Sequence, residues 1–384
     1  MSTFEVRPVR TRRERKDFLN LPWRLYQNDP VWIPPLRKTQ KEMTGFARHP
    51  FYEYAEREAY IAYRGKEPIG RVLAIINHRH NEVHKETRGF FGFFECVDDA
   101  DVAAALFDAA RAYLGEKRIE KLRGPVNPSL NYEVGLLVEG FDDPPMFMMT
   151  YNPPFYGRLI EEYGFVKTQD LYAFVADISM LDSVDPKLQF VIDEVKRRFN
   201  IQVRKLDRKR FHEDAATWLR IYNDSLPGTW GFVPMSEGEV AHGVKAMRKL
   251  IVPEITSIAE VDGKSVASCF GMLDYNGRIK EMNGRLFPFG WMKLFYGRRK
   301  IKRCRLLATN VTPEFQRWGL PLVLLNRILF DALDWGIEEG EFSWVAESNH
   351  LSRKTLERGG ARRSKTYRVY DYGPAEGADS PSQP

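Results

Sequence analysis

Repetition constrains this chain more than any other feature. Arg24-Leu25-Tyr26-Gln27-Asn28-Asp29 returns as Arg220-Ile221-Tyr222-Asn223-Asp224, with Tyr26 and Tyr222 separated by 196 residues. Trp32 and Trp230 are 198 apart, as are the turn glycines Gly65 and Gly263, each followed by lysine. Toward the end of each half a charged segment runs into glycine: Tyr156 to Gly164 is answered by Ser352 to Gly360, and Gly164 and Gly360 are again 196 apart. Four correspondences in one order, at nearly one offset, mark a duplicated unit. A chain of 384 residues is also too long for one ordinary core. The expected division is residues 1–180, residues 181–372, and a tail, 373–384, too poor in apolar residues to fold and expected to be disordered.

Hydrophobic periodicity predicts the same elements in each half. In the first, a helix over 11–28 meets Pro30, Pro34 and Pro35, which force an extended crossing. Strands follow at 59–63, 69–76 and 89–97, a helix at 100–114, strands at 120–126 and 146–151, a helix at 155–163 and a closing strand at 171–178. The second half repeats this after a linker helix at 186–199, with a helix at 213–224, a hairpin over 255–273, a strand at 304–311, a helix at 321–335, a strand at 342–346, a helix at 351–358 and a closing strand at 367–372. The shared order α-β-β-β-α-β-α-β, to which the first half adds the strand at 146–151, belongs to the α/β class in its α+β form, a mixed sheet with helices packed on it. Residues 286–303 form an insertion without a counterpart in the first half.

Hydrophobic residues at 43% and charged residues at 29% describe a soluble globular chain, and its net charge of +6 suits a phosphate-bearing ligand, nucleic acid or an anionic membrane face. Cys96, Cys269 and Cys304 form no metal spacing and cannot all pair, which points to a reducing compartment. The amino terminus has no apolar core segment, and no uncharged apolar run approaches the roughly 18 residues of a membrane helix, so the expected location is cytoplasmic. His78, His80 and His84 crowd one segment with Glu82, but Asn77, Asn81 and Gly89 predict a turn instead of the helical face that metal ligation at this spacing needs; no metal is expected. The insertion combines Phe287, Phe289, Trp291, Phe295 and Tyr296 with a dense basic block. Three readings are open: a segment lying on an anionic bilayer, here the inner membrane face; a cover over an acyl-chain channel; or a packed helix with a solvated charged end.

The chemistry concentrates near the end. A strand through Thr309, Asn310 and Val311 leads into Gln316-Arg317-Trp318-Gly319-Leu320-Pro321 and an apolar helix. A strand, a glycine-containing loop with a cation, and a helix amino terminus aim backbone N–H groups and a positive dipole at one point, which suits a pyrophosphate. The equivalent loop of the first half, Glu95-Cys96-Val97-Asp98-Asp99-Ala100-Asp101, has no glycine and three aspartates, which read as helix caps and leave no cofactor site there. Glu347 follows a core strand, where burial would raise its pKa toward a useful base; alternatively it caps the helix near His350. Glu133 is the rival base. Tyr367 and Tyr370 are candidate acids or packing residues, and Asn127, Asn131, Tyr151, Asn152 and Tyr156 are candidates to wall a substrate groove from the first half.

The Gln-x-x-Gly loop between strand and helix, Glu347-Ser348-Asn349 after the next strand, and the final Tyr367-Arg368-Val369-Tyr370 resemble the cofactor motif of the GNAT acyl-CoA N-acyltransferase superfamily. Gln316 and Gly319 match its Gln/Arg-x-x-Gly-x-Gly/Ala pattern, whereas Pro321 departs from it and supplies no N–H. The runs Asn77 to Glu82, Gly89 to Glu95 and Tyr151 to Tyr156 are similar to a bacterial group of tandem GNAT-like proteins, some of which resemble bacterial ceramide synthases that N-acylate a sphingoid base. The resemblance implies two tandem GNAT-like domains. It also implies an acyl-CoA or acyl-carrier-protein co-substrate held by Thr309, Asn310, Val311, Gln316, Arg317, Trp318, Gly319, Leu320, Pro321 and Asn349, and transfer to an amine of lipid type. Tandem GNAT-like domains also resemble aminoacyl-tRNA-dependent transferases, and a non-catalytic acyl-CoA-binding protein is the third reading. Against RNA, the basic residues cluster beside aromatics and do not form a polar stripe.

Overall fold

The computed structural model describes residues 3–177 and 186–374. These group into two compact units: the chain up to Asp170 together with the segment from Tyr367 on, and Leu171–Thr366. The expected seam at 180/181 and residues 375–384 of the expected tail lie outside the described residues.

In chain order the elements are β1 (Glu5–Pro8), α1 (Arg12–Leu25), α2 (Arg37–Met43), β2 (Ala55–Arg64), β3 (Glu67–Asn77), α3 (His78–His84), β4 (Arg88–Cys96), α4 (Ala100–Glu116), β5 (Lys121–Gly124), β6 (Val126–Asn127), β7 (Glu133–Val134), β8 (Leu136–Glu139), α5 (Tyr156–Glu162) and β9 (Val166–Asp177). They continue with α6 (Pro186–Arg198), β10 (Ile201–Arg204), α7 (Phe211–Ser225), α8 (Glu237–Met247), β11 (Thr256–Val261), β12 (Lys264–Leu273), α9 (Asn276–Glu281), α10 (Gly290–Phe295), β13 (Arg303–Val311), α11 (Leu320–Trp335), β14 (Glu339–Ala346), α12 (His350–Arg358) and β15 (Arg362–Tyr372).

The sheet of the first unit runs β1-β2-β3-β4-β5, antiparallel except for the parallel β4·β5 pair. A capping box starts α1, with the Thr11 hydroxyl accepting from the Glu14 N–H and the Glu14 carboxylate accepting from the Thr11 N–H. Helix α4 lays Leu106, Phe107, Ala110 and Leu114 on the sheet, where Phe107 stacks on Phe94 at 4.7 Å and meets Phe91 edge-on at 5.3 Å. Burying such a ring contributes a few kcal/mol, about 3–5 if it were truncated to alanine.

The second unit repeats the plan as β10-β11-β12-β13-β14, again with its one parallel pair at the fourth and fifth strands. Helix α11 packs on β11 and β12, and α7 packs on β12 and β13, where Trp218 lies 5.4 Å from Phe270.

The closing strands are exchanged relative to the sequence expectation. Leu171–Asp177 pairs antiparallel with β14 in the second unit, and residues 370–372 pair antiparallel with β5 in the first. Both segments are rich in β-formers, so local propensity does not distinguish them. Charge does: in the first unit Asp371 accepts two 2.7 Å hydrogen bonds from Arg123, and Asp170 accepts from Arg368 at 2.8 Å.

Two local expectations are also corrected. Residues 146–151 form no strand; Met148 takes φ +64°, and the Asn152 side chain satisfies Leu137, accepting its N–H at 2.7 Å and donating to its C=O at 3.1 Å. The histidine segment is helical, because Asn77 accepts the His80 N–H and caps it. Its rings reach different partners, His78 with Glu56 and His80 with Glu86, and among the described residues no three His, Cys, Asp or Glu side chains converge as metal ligands.

Candidate active site

Strands β13 and β14 pair only from Arg303↔Glu339 to Leu306↔Phe342. Beyond that β13 continues to Val311 and β14 to Ala346 without mutual pairing, while β13 stays bonded to β12 on its other side. The two strands therefore diverge into a wedge, and the inner edge of β13 offers main-chain donors and acceptors to an extended guest.

The loop at the mouth of this wedge has the geometry expected for an anion. Gly319 ends it at φ +72°, a left-handed conformation that a side chain would strain, and immediately precedes α11. The N–H groups of Arg317, Gly319 and Leu320 meet no acceptor among the described residues. The Arg317 side chain is exposed and makes no ion pair there either. Pro321 sits in the first helical turn and adds no donor. Trp318 fixes the loop by packing on Phe199, centroid to centroid 3.8 Å, and on Phe315 at 4.6 Å. The Gln316 side chain makes long contacts, donating at 3.5 Å to the Val311 and Ser225 carbonyls.

On the α7 face of the same sheet, buried polar atoms stand without partners. Asn310 and Ser268 are register neighbours, both buried, and Asn310 Nδ2, Ser268 Oγ and Trp218 Nε1 make no hydrogen bond among the described residues. Thr312 Oγ1 is in the same state. Orphaned polar atoms at this density mark a place for a polar ligand group. Thr309 faces the opposite side, where its hydroxyl lies 3.3 Å from the Cys269 thiol.

At the apex of the wedge lies a cluster that sequence reasoning missed. Glu341 is fully buried; one oxygen accepts from Ser343 Oγ at 2.6 Å and the other has no partner among the described residues. Arg305 donates to Ser343 Oγ at 2.7 Å and to its carbonyl at 3.1 Å. Burial pushes the Glu341 carboxyl above the usual range, against the pull of Ser343 and Arg305. Its only sequence signal is a glutamate in the middle of a core strand. Glu347 sits in the turn after β14, half-buried, with its carbonyl accepting from Arg353 at 2.9 Å. The cap of α12 is Asn349, which accepts the Ser352 N–H at 3.1 Å, so the capping role falls to Asn349 and not to Glu347.

In the first unit the equivalent wedge is filled. Strands β4 and β5 pair over three positions, and the chain then turns back as the small β6·β7 ribbon. A Cβ on Gly92 would lie 1.8 Å from the Val126 carbonyl oxygen, so only glycine admits this backbone. Asn127 Oδ1 accepts the Phe93 N–H at 2.7 Å, which occupies the main-chain group that a guest would use. Asp99 caps α4 and Asp98 pairs with Arg158.

The other expected groove residues of this unit also have structural partners. Asn152 clips Leu137, and the Tyr151 hydroxyl donates to Asp29 at 2.8 Å. Tyr156 accepts from the Cys96 N–H and donates to Glu95, whose carboxylate also receives Tyr26 at 2.7 Å and Arg71. That buried network, with the Glu95 carboxyl raised by burial, was not foreseen beyond Tyr156. Glu133 lies in β7 opposite Asn127, and Asn131 in the ribbon's turn. Tyr367 and Tyr370 belong to this unit, both buried, and Tyr370 donates to Glu161 at 2.9 Å.

A duplicated mixed sheet, splayed between its fourth and fifth strands above a glycine-led helix in one copy, is the tandem GNAT fold, and the chain belongs to the family of two curated relatives more than 30% identical to it. Within it, the chain is 34% identical over 373 residues to Protein YghO of Escherichia coli (strain K12), covering 95% of this chain and 94% of that protein. It is 33% identical over 375 residues to Bacterial ceramide synthase of Caulobacter vibrioides, covering 95% and 96%. Among solved structures, a tandem GNAT protein from the clavulanic acid biosynthesis pathway superposes with a TM-score of 0.56 at 11% identity, over 97% of this chain and 100% of that one. A GCN5-related N-acetyltransferase from Sphaerobacter thermophilus gives 0.54 at 12% identity, over 96% and 95%. No protein-family model matches the chain.

Proposed function

We propose that the chain is an N-acyltransferase whose second unit passes an acyl group from acyl-CoA, or an acyl carrier protein, to the amino group of a long-chain amine such as a sphingoid base. The observation that carries this reading is the open wedge of β13 and β14 above unpaired N–H groups. An extended thioester arm fits along residues 307–311, and its phosphates fit the N–H groups of Arg317, Gly319 and Leu320 with the Arg317 side chain. The name of the Caulobacter relative supports the acceptor class.

The chemistry needs a neutral amine beside the thioester carbonyl. As the N–C bond forms and the C–S bond breaks, the amine proton passes to Glu347 and from there to the departing thiolate. Transfer is direct. Cys269 and Cys304 are buried, with thiols pushed up by desolvation to about 11 and about 12, which keeps them protonated and poor nucleophiles. The unpaired atoms of Asn310, Ser268 and Thr312 suit the polar head of the acceptor. A long-chain acceptor is met at a bilayer, so the reading includes peripheral contact at a membrane face; among the described residues no helix is long and apolar enough to cross a membrane.

Native mass spectrometry with palmitoyl-CoA, acetyl-CoA and a sphingoid base tests the reading. Amide product from the long-chain donor is expected, and Glu347→Gln should lower turnover by about 10²–10⁴ while long-chain thioester binding persists. Retention of neither thioester refutes the cofactor site. Tight retention without product, unaffected by Glu347→Gln, replaces the enzyme with a sensor.

A further inference from the structure

From Arg285 to Arg303 the second unit carries seven basic residues and no acidic one. Interleaved with them, Phe287 is 78% exposed, Phe289 72%, Tyr296 85%, Met292 49% and Trp291 48%. These side chains are presented by a folded platform. Leu294 of α10 and Ile301 are buried, the Trp291 N–H donates to the Leu286 carbonyl at 2.9 Å, and the Arg299 guanidinium lies 4.5 Å from the Trp335 ring. Two of the cations are neutralised, Lys302 by Glu338 and Arg303 by Glu339. Arg285, Lys293, Arg299 and Lys300 are exposed and make no ion pair among the described residues.

A surface of this composition needs a partner that takes apolar rings and cations together. A second copy of the same patch matches the rings but brings like charge against like in a twofold contact. Nucleic acid matches the cations but leaves Phe287, Phe289 and Met292 in water. The boundary of an anionic bilayer accepts both, with rings at headgroup depth and cations against lipid phosphates. We propose that residues 285–303 are a docking surface for an anionic lipid bilayer, with Phe287, Phe289, Trp291 and Met292 entering the interface and Arg285, Lys293, Arg299 and Lys300 facing the headgroups. The proposal rests on and extends the membrane contact of the preceding reading, yet it is decided by vesicle binding and not by acyl transfer.

Co-sedimentation of the full chain with phosphatidylcholine vesicles is compared with vesicles in which about a third of the lipid is phosphatidylglycerol. Binding should favour the anionic vesicles and weaken in high salt. Arg299→Glu with Lys300→Glu, and separately Phe289→Ser with Trp291→Ser, should each lower partitioning at least about tenfold while far-UV circular dichroism is unchanged. Equal binding to both vesicles, no binding, or wild-type partitioning of both variants overturns the proposal. So does a self-association that the apolar variant abolishes without any vesicle binding. Acylation of a short, soluble amine by both variants in vesicle-free solution is scored in parallel, so failure of docking and failure of the acyltransferase reading are distinguished.

Discussion

Replacing the hydrogen at position 92 tests whether the first unit's wedge is filled as described. In Gly92→Ala the new methyl would lie 1.8 Å from the Val126 carbonyl oxygen and 2.9 Å from Asn127 Oδ1. The nearer atom is main chain, on a buried residue between Pro125 and Pro128, whose rings restrict the backbone on both sides. Relief requires the ribbon to move by about an ångström, at an overpacking cost of about 1–3 kcal/mol. That movement also stretches the 2.7 Å bond from Phe93 to Asn127, and a buried N–H left unpaired costs about another 1–3 kcal/mol. The expected loss is therefore about 2–6 kcal/mol, read as a fall in the urea midpoint with the slope unchanged. Gly115→Ala is the matched control: its Cβ meets nothing within 4 Å and it lies in α4, so it should stabilise by about 0.5–1 kcal/mol. If Gly92→Ala unfolds within about 0.5 kcal/mol of the parent protein, the ribbon does not occupy the wedge as described.

Three further outcomes follow from the geometry. Arg317→Glu should weaken long-chain acyl-CoA binding at least about tenfold by titration calorimetry without changing the urea midpoint; unchanged binding removes Arg317 from the phosphate site. Burial raises the folded pKa of Glu341 above its unfolded value, so its stabilising contribution is full below about 4.3 and is lost as pH rises through the folded value. The stability of Glu341→Gln relative to the parent should accordingly improve as pH rises, and a gap independent of pH in urea titrations contradicts the burial argument. Tyr370→Phe removes one hydrogen bond to Glu161 and should cost about 0.5–1.5 kcal/mol of stability with transfer unaffected, whereas a fall in turnover of about a hundredfold would make Tyr370 the acid.

The sequence revealed those features whose signal is local. The duplication, the hairpins around Gly65 and Gly263, and the Gln316 to Gly319 loop were all readable because turn glycines and amphipathic periods depend on near neighbours. Of the aspartates expected to cap α4, Asp99 was readable for the same reason, since a cap bonds within three residues, whereas Asp98 pairs with the distant Arg158. What stayed hidden depends on partners far along the chain. Asn127, Asn152 and Tyr156 have the polar chemistry of a substrate groove, and only the fold reveals that Phe93, Leu137 and Glu95 already engage them. Glu341 was passed over because a glutamate inside a strand carries no marker of whether Arg305 stands on the neighbouring strand. The histidine helix was misread because Asn77 and Asn81 favour turns in general, while here Asn77 caps.

The exchanged closing strands set a timetable for biosynthesis. The two ends of the Arg123–Asp371 pair are 248 residues apart. At about 5–20 residues per second, a ribosome leaves the nascent first unit without its sixth strand for roughly 12–50 s. Throughout that interval β5 presents an unbonded edge, the kind of template on which nascent chains mispair. Expressing either half alone would make the interval permanent, so the duplicated gene behaves as one folding unit, and its two copies cannot be separated at the midpoint without leaving each with the other's last strand.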